Sequence, residues 1–307
     1  MVQEPSAEWD RISTRLDHSS DFITRSGELS PRTAEYQSSL YRGWILLIYA
    51  EAEGGANALG SAYLRRIGKC VPSVPLSQAP TALAKGHLRD VLKFCMSRLD
   101  RIGAVETIST LSGALGSAWA ENATVGSVGR NLWPDNVVSW LRTLAVSEDF
   151  VPKFGEIRGE SGWSLERRMR VLVEDRNRYA HGSIPDVLAD ADATVEVLED
   201  VRTFLRECLR ALQCSFAQHF SSSLTDVGSV DTSTELGDGL VPIRRLDVPV
   251  EVDGDVVMIG PDGKVKIRKV RSIQSESVSL DVAMAGAERV SLGLPNHGGV
   301  ARLCLAP

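Results

Sequence analysis

The sequence has few cysteines and no long apolar run, and both absences exclude classes of protein. Its five cysteines include no CxxC pair and stand at Cys70, Cys95, Cys208, Cys214 and Cys304. A scattered, odd set is typical of reduced thiols, so we expect neither a disulfide framework nor a structural zinc site. The most apolar stretch, Trp44 to Ala50, is too short to span a bilayer, and the first residues form no apolar signal segment. We therefore predict a cytoplasmic protein with no membrane partner, no metal and no cofactor.

The chain also lacks an excess of basic residues. It carries 40 acidic and 34 basic side chains, for a net charge of -6, which argues against a generally basic coat for nucleic acid. A local basic patch stays compatible with this balance, because charges more than about 10 Å away are screened. Its 307 residues, 43% of them hydrophobic and 24% charged, are typical of a globular protein with two domains.

The first 220 residues show the three- and four-residue spacing of apolar side chains that predicts amphipathic helices. Ser30-Pro31 begins a helix that we expect to continue to about Leu64, with Gly54-Gly55 marking a kink or a close backbone approach. Further helices are predicted over about 83–99, from Trp133-Pro134-Asp135 onward, from Leu165 into the Arg176–His181 segment, and over about 188–216. Residues 1–220 are therefore predicted to form an all-α bundle.

The composition changes at Ser221. Residues 221–244 are rich in Ser, Thr, Asp and Gly, which predicts a flexible linker. From residue 245 the apolar period becomes two, with hairpin turns predicted at Asp253-Gly254 and Asp262-Gly263. Strands are expected near 264–271, 277–284, 289–294 and 300–305. The predicted fold class is α+β, with the helical bundle followed by a small β-barrel over 245–307.

The segment Arg176–His181 contains residues that could cleave RNA without a metal. Histidine exchanges protons near neutral pH, so it can serve as general acid or base, and an arginine fork binds phosphate oxygens. Asn177 could bind the same phosphate or fix the imidazole tautomer. On a helix Asn177 and His181 face the same way, whereas Arg176 lies about 140° from His181 in projection. A second copy of the segment across a two-fold axis would complete such a site.

The string EDRNRYAHG resembles the motif of the HEPN superfamily, an arginine and a polar residue followed after a short spacing by a histidine. The strings YRGWILLIYAEAEG and GRNLWPDNVVSWL precede it in the order seen in one prokaryotic subfamily, so the resemblance covers about residues 30–220. It implies a homodimeric helical bundle and a metal-independent endoribonuclease of a toxin, phage-defence or stress system, which leaves 2′,3′-cyclic phosphate ends. By position, Arg176 and His181 would be the catalytic pair and Asn177 their polar companion.

Other charged residues are candidates for substrate binding. In the helical region these are Arg167, Arg170 and Arg178, although a solvated helix face with i,i+4 ion pairs explains them equally well. Glu53 could orient the arginine or the histidine, or be an ordinary surface carboxylate. In the strand region Lys264, Lys266 and Arg268 alternate along one strand, which favours an anionic partner over pure packing, although a charged solvent face is the default explanation.

Residues of about 245–305 resemble the second-domain barrel of translational GTPases. The shared features are a Gly-Asp turn, the VRSIQ strand and the VSLGL strand. No GTP-binding motif occurs in the sequence, so the resemblance implies a binding module for RNA (tRNA or the ribosome), a protein partner or an inhibitor.

Two other functions are compatible with the same residues. One is a non-catalytic interaction protein, in which the bundle dimerises and His181 only caps a helix end. The other is a sensor in which Arg176 and His181 bind a small phosphate compound.

Overall fold

The computed structural model describes residues 4–29, 33–70, 127–129, 131–183, 189–231, 239–275, 278–295 and 300–306. The chain divides into two compact units, Met1–Leu212 and Gln213–Pro307, the first built from helices and the second mainly from antiparallel strands. The predicted α+β class is therefore confirmed at this level. In the described part of the chain, no helix has the combination of length and apolar character that crossing a membrane requires. The helix predicted over about 83–99 lies outside the described residues.

Five helices occur in the described residues. They are α1 (Glu4–Leu29), α2 (Ala34–Cys70), α3 (Pro134–Thr143), α4 (Leu165–Ala180) and α5 (Ala191–His219). The last four lie where the apolar spacing predicted helices. Helix α1 was not predicted, because its buried face is narrow, with Ile12, Leu16 and Ile23 standing among many polar residues.

Helix α2 is the central element against which α1 and α4 pack. The apolar face predicted for it is confirmed, since Trp44, Ile45, Ile48 and Tyr49 are all buried. The close backbone approach predicted at Gly54-Gly55 is also present. A Cβ added at Gly55 would lie 2.6 Å from Leu205 Cδ1 of α5, so glycine lets this leucine pack on the backbone of α2.

A buried ion pair joins α4, α5 and the loop before α4. Asp200 of α5 is fully buried, and its Oδ2 accepts a hydrogen bond of 2.7 Å from Arg168 Nε and one of 2.5 Å from Ser161 Oγ. The Ser161 backbone N–H donates to Asp200 Oδ1 at 3.2 Å. A carboxylate without water is stable only when its lone pairs are satisfied in this way.

The described residues of the second unit form ten short strands in three separate sheets. They are β1 (Gly228–Val230), β2 (Leu240–Leu246), β3 (Val250–Glu251), β4 (Asp255–Ile259), β5 (Val265–Lys269), β6 (Ser272–Ser275), β7 (Val278–Leu280), β8 (Val282–Ala283), β9 (Glu288–Gly293) and β10 (Arg302–Leu305). The sheet orders are β1-β2-β9-β6-β7, β10-β4-β5 and β3-β8, and the pairs within them are antiparallel. The core between them includes Val256, Ile273, Leu292 and Leu303.

This strand topology corrects the prediction of a small barrel. The described strands end in three sheets with free edges and form no closed barrel. The period-two pattern predicts strands but carries no information about which edges pair, and closure depends on that pairing.

The strand unit also begins earlier in the chain than we predicted. Residues 221–244, predicted as a linker, include a short 3-10 turn at Ser221–Ser223, strand β1 and most of β2. Ser- and Gly-rich composition is compatible with an edge strand when its few apolar residues are buried. Val227, just before β1, is buried and donates its N–H to Leu303 O at 2.9 Å.

Of the two predicted hairpin turns, one is confirmed and one is wrong. Asp262-Gly263 joins β4 to β5, which pair directly. Asp253-Gly254 joins β3 to β4, but β3 pairs with β8, so this turn passes the chain from one sheet to another. Asp253 adopts a φ of +68°, a conformation in which Asp and Asn are tolerated better than most residues.

The buried ion pair gives a prediction about stability. We expect Arg168→Met to lower the free energy of unfolding by about 3–5 kcal/mol, because Asp200 would keep a buried charge without its cation. The Arg168→Met/Asp200→Met double variant should lose less than the sum of the two single variants. Urea unfolding followed by far-UV circular dichroism measures all three.

The matched control is Arg11→Met, which breaks the exposed pair of Arg11 with Glu8 on α1. Its cost should stay below about 1 kcal/mol. Equal losses for Arg11→Met and Arg168→Met would contradict a structural role for the buried pair.

Candidate active site

Helix α4 ends in a glycine cap that fixes the position of His181. Gly182 adopts a φ of +88°, its N–H donates to Tyr179 O at 3.0 Å, and the Ser183 N–H donates to Arg178 O at 3.2 Å. This is the Schellman arrangement, which favours glycine because a Cβ is strained in the left-handed region. His181 is the capping residue and its side chain is exposed.

Arg176 is held by two contacts one and a half turns earlier on the same helix. Its Nη1 donates to Asn177 Oδ1 at 3.0 Å, and its guanidinium carbon lies 4.9 Å from the centre of the Tyr49 ring. The second contact is a cation–π interaction, which holds the guanidinium against α2 without using its hydrogen-bond donors. Arg176 is half-buried, so its remaining donors can meet a ligand from solvent.

Tyr49 is itself fixed by the segment before α3. Its hydroxyl accepts the Leu132 N–H at 3.3 Å and lies 3.5 Å from Asn131 Oδ1, to which it can donate. Burial raises the pKa of Tyr49, the Leu132 N–H lowers it, and the nearby charge of Glu53 raises it further. The phenol therefore stays neutral at cellular pH. Glu53 is near enough to the Tyr49 hydroxyl for its charge to act on that group, and the orienting role considered for Glu53 stays a hypothesis.

His181 stands apart from this pair. Within the described residues it forms no hydrogen bond or ion pair with Arg176 or Asn177. Asn177 lies one helical turn before His181 and is bonded to Arg176, so it stands between the two. The structure thus brings Arg176 and Asn177 together and leaves His181 open to solvent at the end of the same helix.

Arg42 of α2 is a further cation at this helix end that the sequence analysis missed. Its Nη2 donates to Tyr179 O at 3.2 Å, the same oxygen that accepts the Gly182 N–H at 3.0 Å. Because both N–H groups bind the same carbonyl oxygen, the Arg42 guanidinium lies close to Gly182, the residue after His181. The Arg42 Nε is buried and has no hydrogen-bond partner.

A signal for Arg42 was present in the sequence. Arg42 and Tyr49 are seven residues apart, two helical turns, so they share a face of α2. Tyr41, the neighbour of Arg42, packs edge-to-face on Tyr179 with ring centres 6.1 Å apart. Only the antiparallel packing of α2 on α4 connects these residues with the Arg176–His181 segment.

The arginines predicted to bind substrate have separate partners within the chain. Arg170 Nη2 lies 3.0 Å from Glu166 Oε1 and 3.2 Å from Asp135 Oδ2. The Arg167 guanidinium lies 4.0 Å from the Trp163 ring centre, and Arg178 Nη1 lies 3.9 Å from Asp175 Oδ1. These side chains are spread along α4 and do not form one continuous basic patch.

The strand cations are also partly engaged. Lys264 Nζ lies 2.8 Å from Asp262 Oδ2, and Arg268 donates to the Pro295 and Ile267 carbonyls at 3.0 and 2.9 Å. Lys266 is exposed and has no ion-pair partner in the described residues. The three predicted cations therefore differ in their surroundings, and their role in substrate binding stays a prediction.

Comparison with known proteins assigns no family. Neither a protein-family model nor a curated protein sequence matches the chain. Across the described residues, no group of three or more His, Cys, Asp or Glu side chains is arranged to hold a metal ion. The functional proposal therefore rests on the contacts around the end of α4.

The glycine cap predicts that alanine at Gly182 and alanine at Gly43 change the free energy of unfolding in opposite directions. We expect Gly182→Ala to lower the free energy of unfolding by about 1–2 kcal/mol, because alanine is strained at a φ of +88°. Gly43→Ala should raise it by about 0.5–1 kcal/mol, because Gly43 is inside α2 and a Cβ there meets nothing within 4 Å. Urea unfolding of the two variants checks this, and a stabilising Gly182→Ala would contradict the cap.

Proposed function

We propose that this chain is a metal-independent endoribonuclease of the HEPN type, with Arg176, Asn177 and His181 at its active site. The observation that carries the proposal is the end of α4. There a half-buried arginine, fixed over Tyr49 and bonded to Asn177, stands on the same helix as an exposed, glycine-capped histidine. Phosphodiester transfer uses a fixed cation and an imidazole that exchanges protons, and this helix end carries one of each.

In the proposed reaction the ribose 2′-oxygen attacks the adjacent phosphorus and the bond from phosphorus to the 5′-oxygen breaks. The products are a 2′,3′-cyclic phosphate and a free 5′-hydroxyl. His181 accepts the proton of the 2′-hydroxyl or donates one to the leaving 5′-oxygen. Arg176 stabilises the extra negative charge on the phosphorus oxygens, which is usually the largest catalytic contribution. Asn177 positions Arg176 through their hydrogen bond.

A homodimer supplies what one chain lacks. Each chain brings one histidine to this helix end, whereas the reaction requires both a base and an acid. A two-fold axis near the end of α4 would place two His181 side chains, one from each protomer, on either side of the scissile phosphate. His181 is exposed on the single chain and so accessible to a second protomer, which supports this arrangement.

Arg42 is proposed as a second phosphate-binding cation of the site. Its guanidinium is half-buried and adjoins Gly182, and its Nη2 binds Tyr179 O, so its other terminal N–H groups would supply the phosphate contact beside His181. Arg176 and Arg42 would then contact successive phosphates or two oxygens of the same phosphate.

Cleavage of RNA tests the proposal directly. We expect the purified full chain to cleave total cellular RNA in EDTA, leaving cyclic-phosphate ends. Arg176→Ala and His181→Ala should each lower the rate by at least about a hundredfold, because each removes a group that acts in the transition state. The midpoints of thermal unfolding should stay close to wild type, since His181 is exposed and Arg176 only half-buried.

His18→Ala and Arg11→Ala are the matched controls, because both residues are exposed on α1. Wild-type rates in these controls, together with loss in the site variants, would support the assignment. Undiminished cleavage by both site variants would disprove it.

One observation favours the interaction-protein alternative. His181 makes no contact with Arg176 in the described structure, and most arginines of α4 are paired within the chain. This function predicts no cleavage by wild type and unchanged partner binding in His181→Ala. The same RNA experiment therefore separates the two functions.

The role of Arg42 has its own test in a chain carrying His181→Ala, so that RNA remains intact. Adding Arg42→Ala should weaken binding of single-stranded RNA and reduce the slope of log affinity against log salt by about 1, because one phosphate contact is lost. Arg42→Lys should keep the slope and lose part of the affinity. Fluorescence anisotropy over a salt series measures both, and an unchanged slope in Arg42→Ala would refute a phosphate contact.

A further inference from the structure

A groove of about 720 Å³ on the five-stranded sheet contains three arginines that the sequence analysis did not select. Its lining comes from the end of β1, from β2 and from β9, and includes Arg244, Arg245 and Arg289 with the carboxylates Asp231 and Glu288. All three arginines are exposed. The groove therefore offers many N–H donors at one place on a chain whose net charge is -6.

Two of these arginines lie at an irregular point of the β2–β9 ladder. Ile243 pairs with Val290 and Arg245 with Glu288, and Arg244 and Arg289 occupy the positions between these pairs without forming a regular pair themselves. Like charges this close on neighbouring strands repel each other. Nothing in the strand pairing requires this placement, because a polar residue of either charge could occupy an exposed position.

The two carboxylates neutralise only part of this charge. Arg244 Nη2 lies 3.1 Å from Asp231 Oδ1, which fixes its side chain at the groove. Glu288 stands opposite Arg245. Within the described part of the chain neither Arg245 nor Arg289 forms an ion pair, so both are available to a ligand.

The backbone at Arg289 is strained as well. Its φ is +53°, in the left-handed region that glycine occupies freely and an L side chain does not. The preceding turn does use glycine at such a position, Gly286 with a φ of +87°. A strained, unpaired arginine in a groove is the pattern expected where the side chain serves a ligand and not the fold.

We propose that this groove binds a phosphate group between Arg244 and Arg289. A phosphate dianion between the two forks would turn their mutual repulsion into attraction, and each guanidinium can bind two of its oxygens. The phosphate could belong to an RNA backbone or to a free compound such as a nucleotide. The proposal is independent of the ribonuclease activity, because every residue in it lies in the strand unit and its test needs no cleavage.

The test uses the full chain with Arg176→Ala and His181→Ala, so that RNA stays intact. Inorganic pyrophosphate is titrated by calorimetry, and a fluorescent single-stranded RNA by anisotropy. We expect Arg289→Ala to weaken binding about tenfold, while Arg271→Ala, at an exposed arginine just before β6, leaves it unchanged. Pyrophosphate binding without RNA binding assigns a free phosphate compound. RNA binding that pyrophosphate displaces assigns the backbone.

Arg289→Gly distinguishes a ligand role from a structural one. Glycine relieves the left-handed strain and the repulsion, so this variant should unfold at a higher urea concentration than the parent while binding as weakly as Arg289→Ala. A structural role would lower stability and binding together. Failure of both probes to bind, or equal losses in Arg289→Ala and Arg271→Ala, would overturn the proposal and leave the cleavage experiment unaffected.

Discussion

The buried carboxylate of Asp200 is the constraint on which the helical unit depends. It lies on α5, where water cannot reach it, so its lone pairs must be satisfied by the protein. Arg168 from α4 and Ser161 from the preceding loop supply that hydrogen bonding. These bonds fix the start of α4 to α5. Because α4 is a continuous helix, its C-terminal end is positioned as well. The proposed active site stands at that end, on a rigid element and not on a free loop.

Helix α2 supports the same site from the other side. Two of its side chains contact α4: the ring of Tyr49 holds the guanidinium of Arg176, and Arg42 donates to the Tyr179 carbonyl near the end of the helix. The phenol is held neutral by burial, so it offers the arginine a polarisable face and no competing negative charge. The ring contact therefore places Arg176 without using its N–H donors, one of which binds Asn177. His181 lacks such support, which is why a second protomer enters the proposed mechanism.

Pairing within the chain decides which basic residues are available to an anion. Of the arginines that lie close together in the sequence of α4, Arg170 pairs with Glu166 and Asp135, and Arg168 pairs with Asp200. In the strand unit Lys264 pairs with Asp262, and Arg268 donates to the Pro295 carbonyl. Arg289 differs because it lines a groove with two other arginines and forms no ion pair within the described residues. An anionic partner of this unit is therefore proposed at β2 and β9.

Local features of the sequence were enough to determine several parts of the structure. The buried face of α2, the start of α3 at Pro134 and the end of α4 at Gly182 follow from side-chain spacing and from the backbone preferences of proline and glycine. These depend on residues within a few positions of one another. The pairing of β3 with β8, the open sheets in place of a barrel, and the positions of Arg42 and Arg289 depend on residues far apart in the chain. Only tertiary packing decides such contacts, because the free energy of a strand edge or an ion pair depends on which distant partner reaches it.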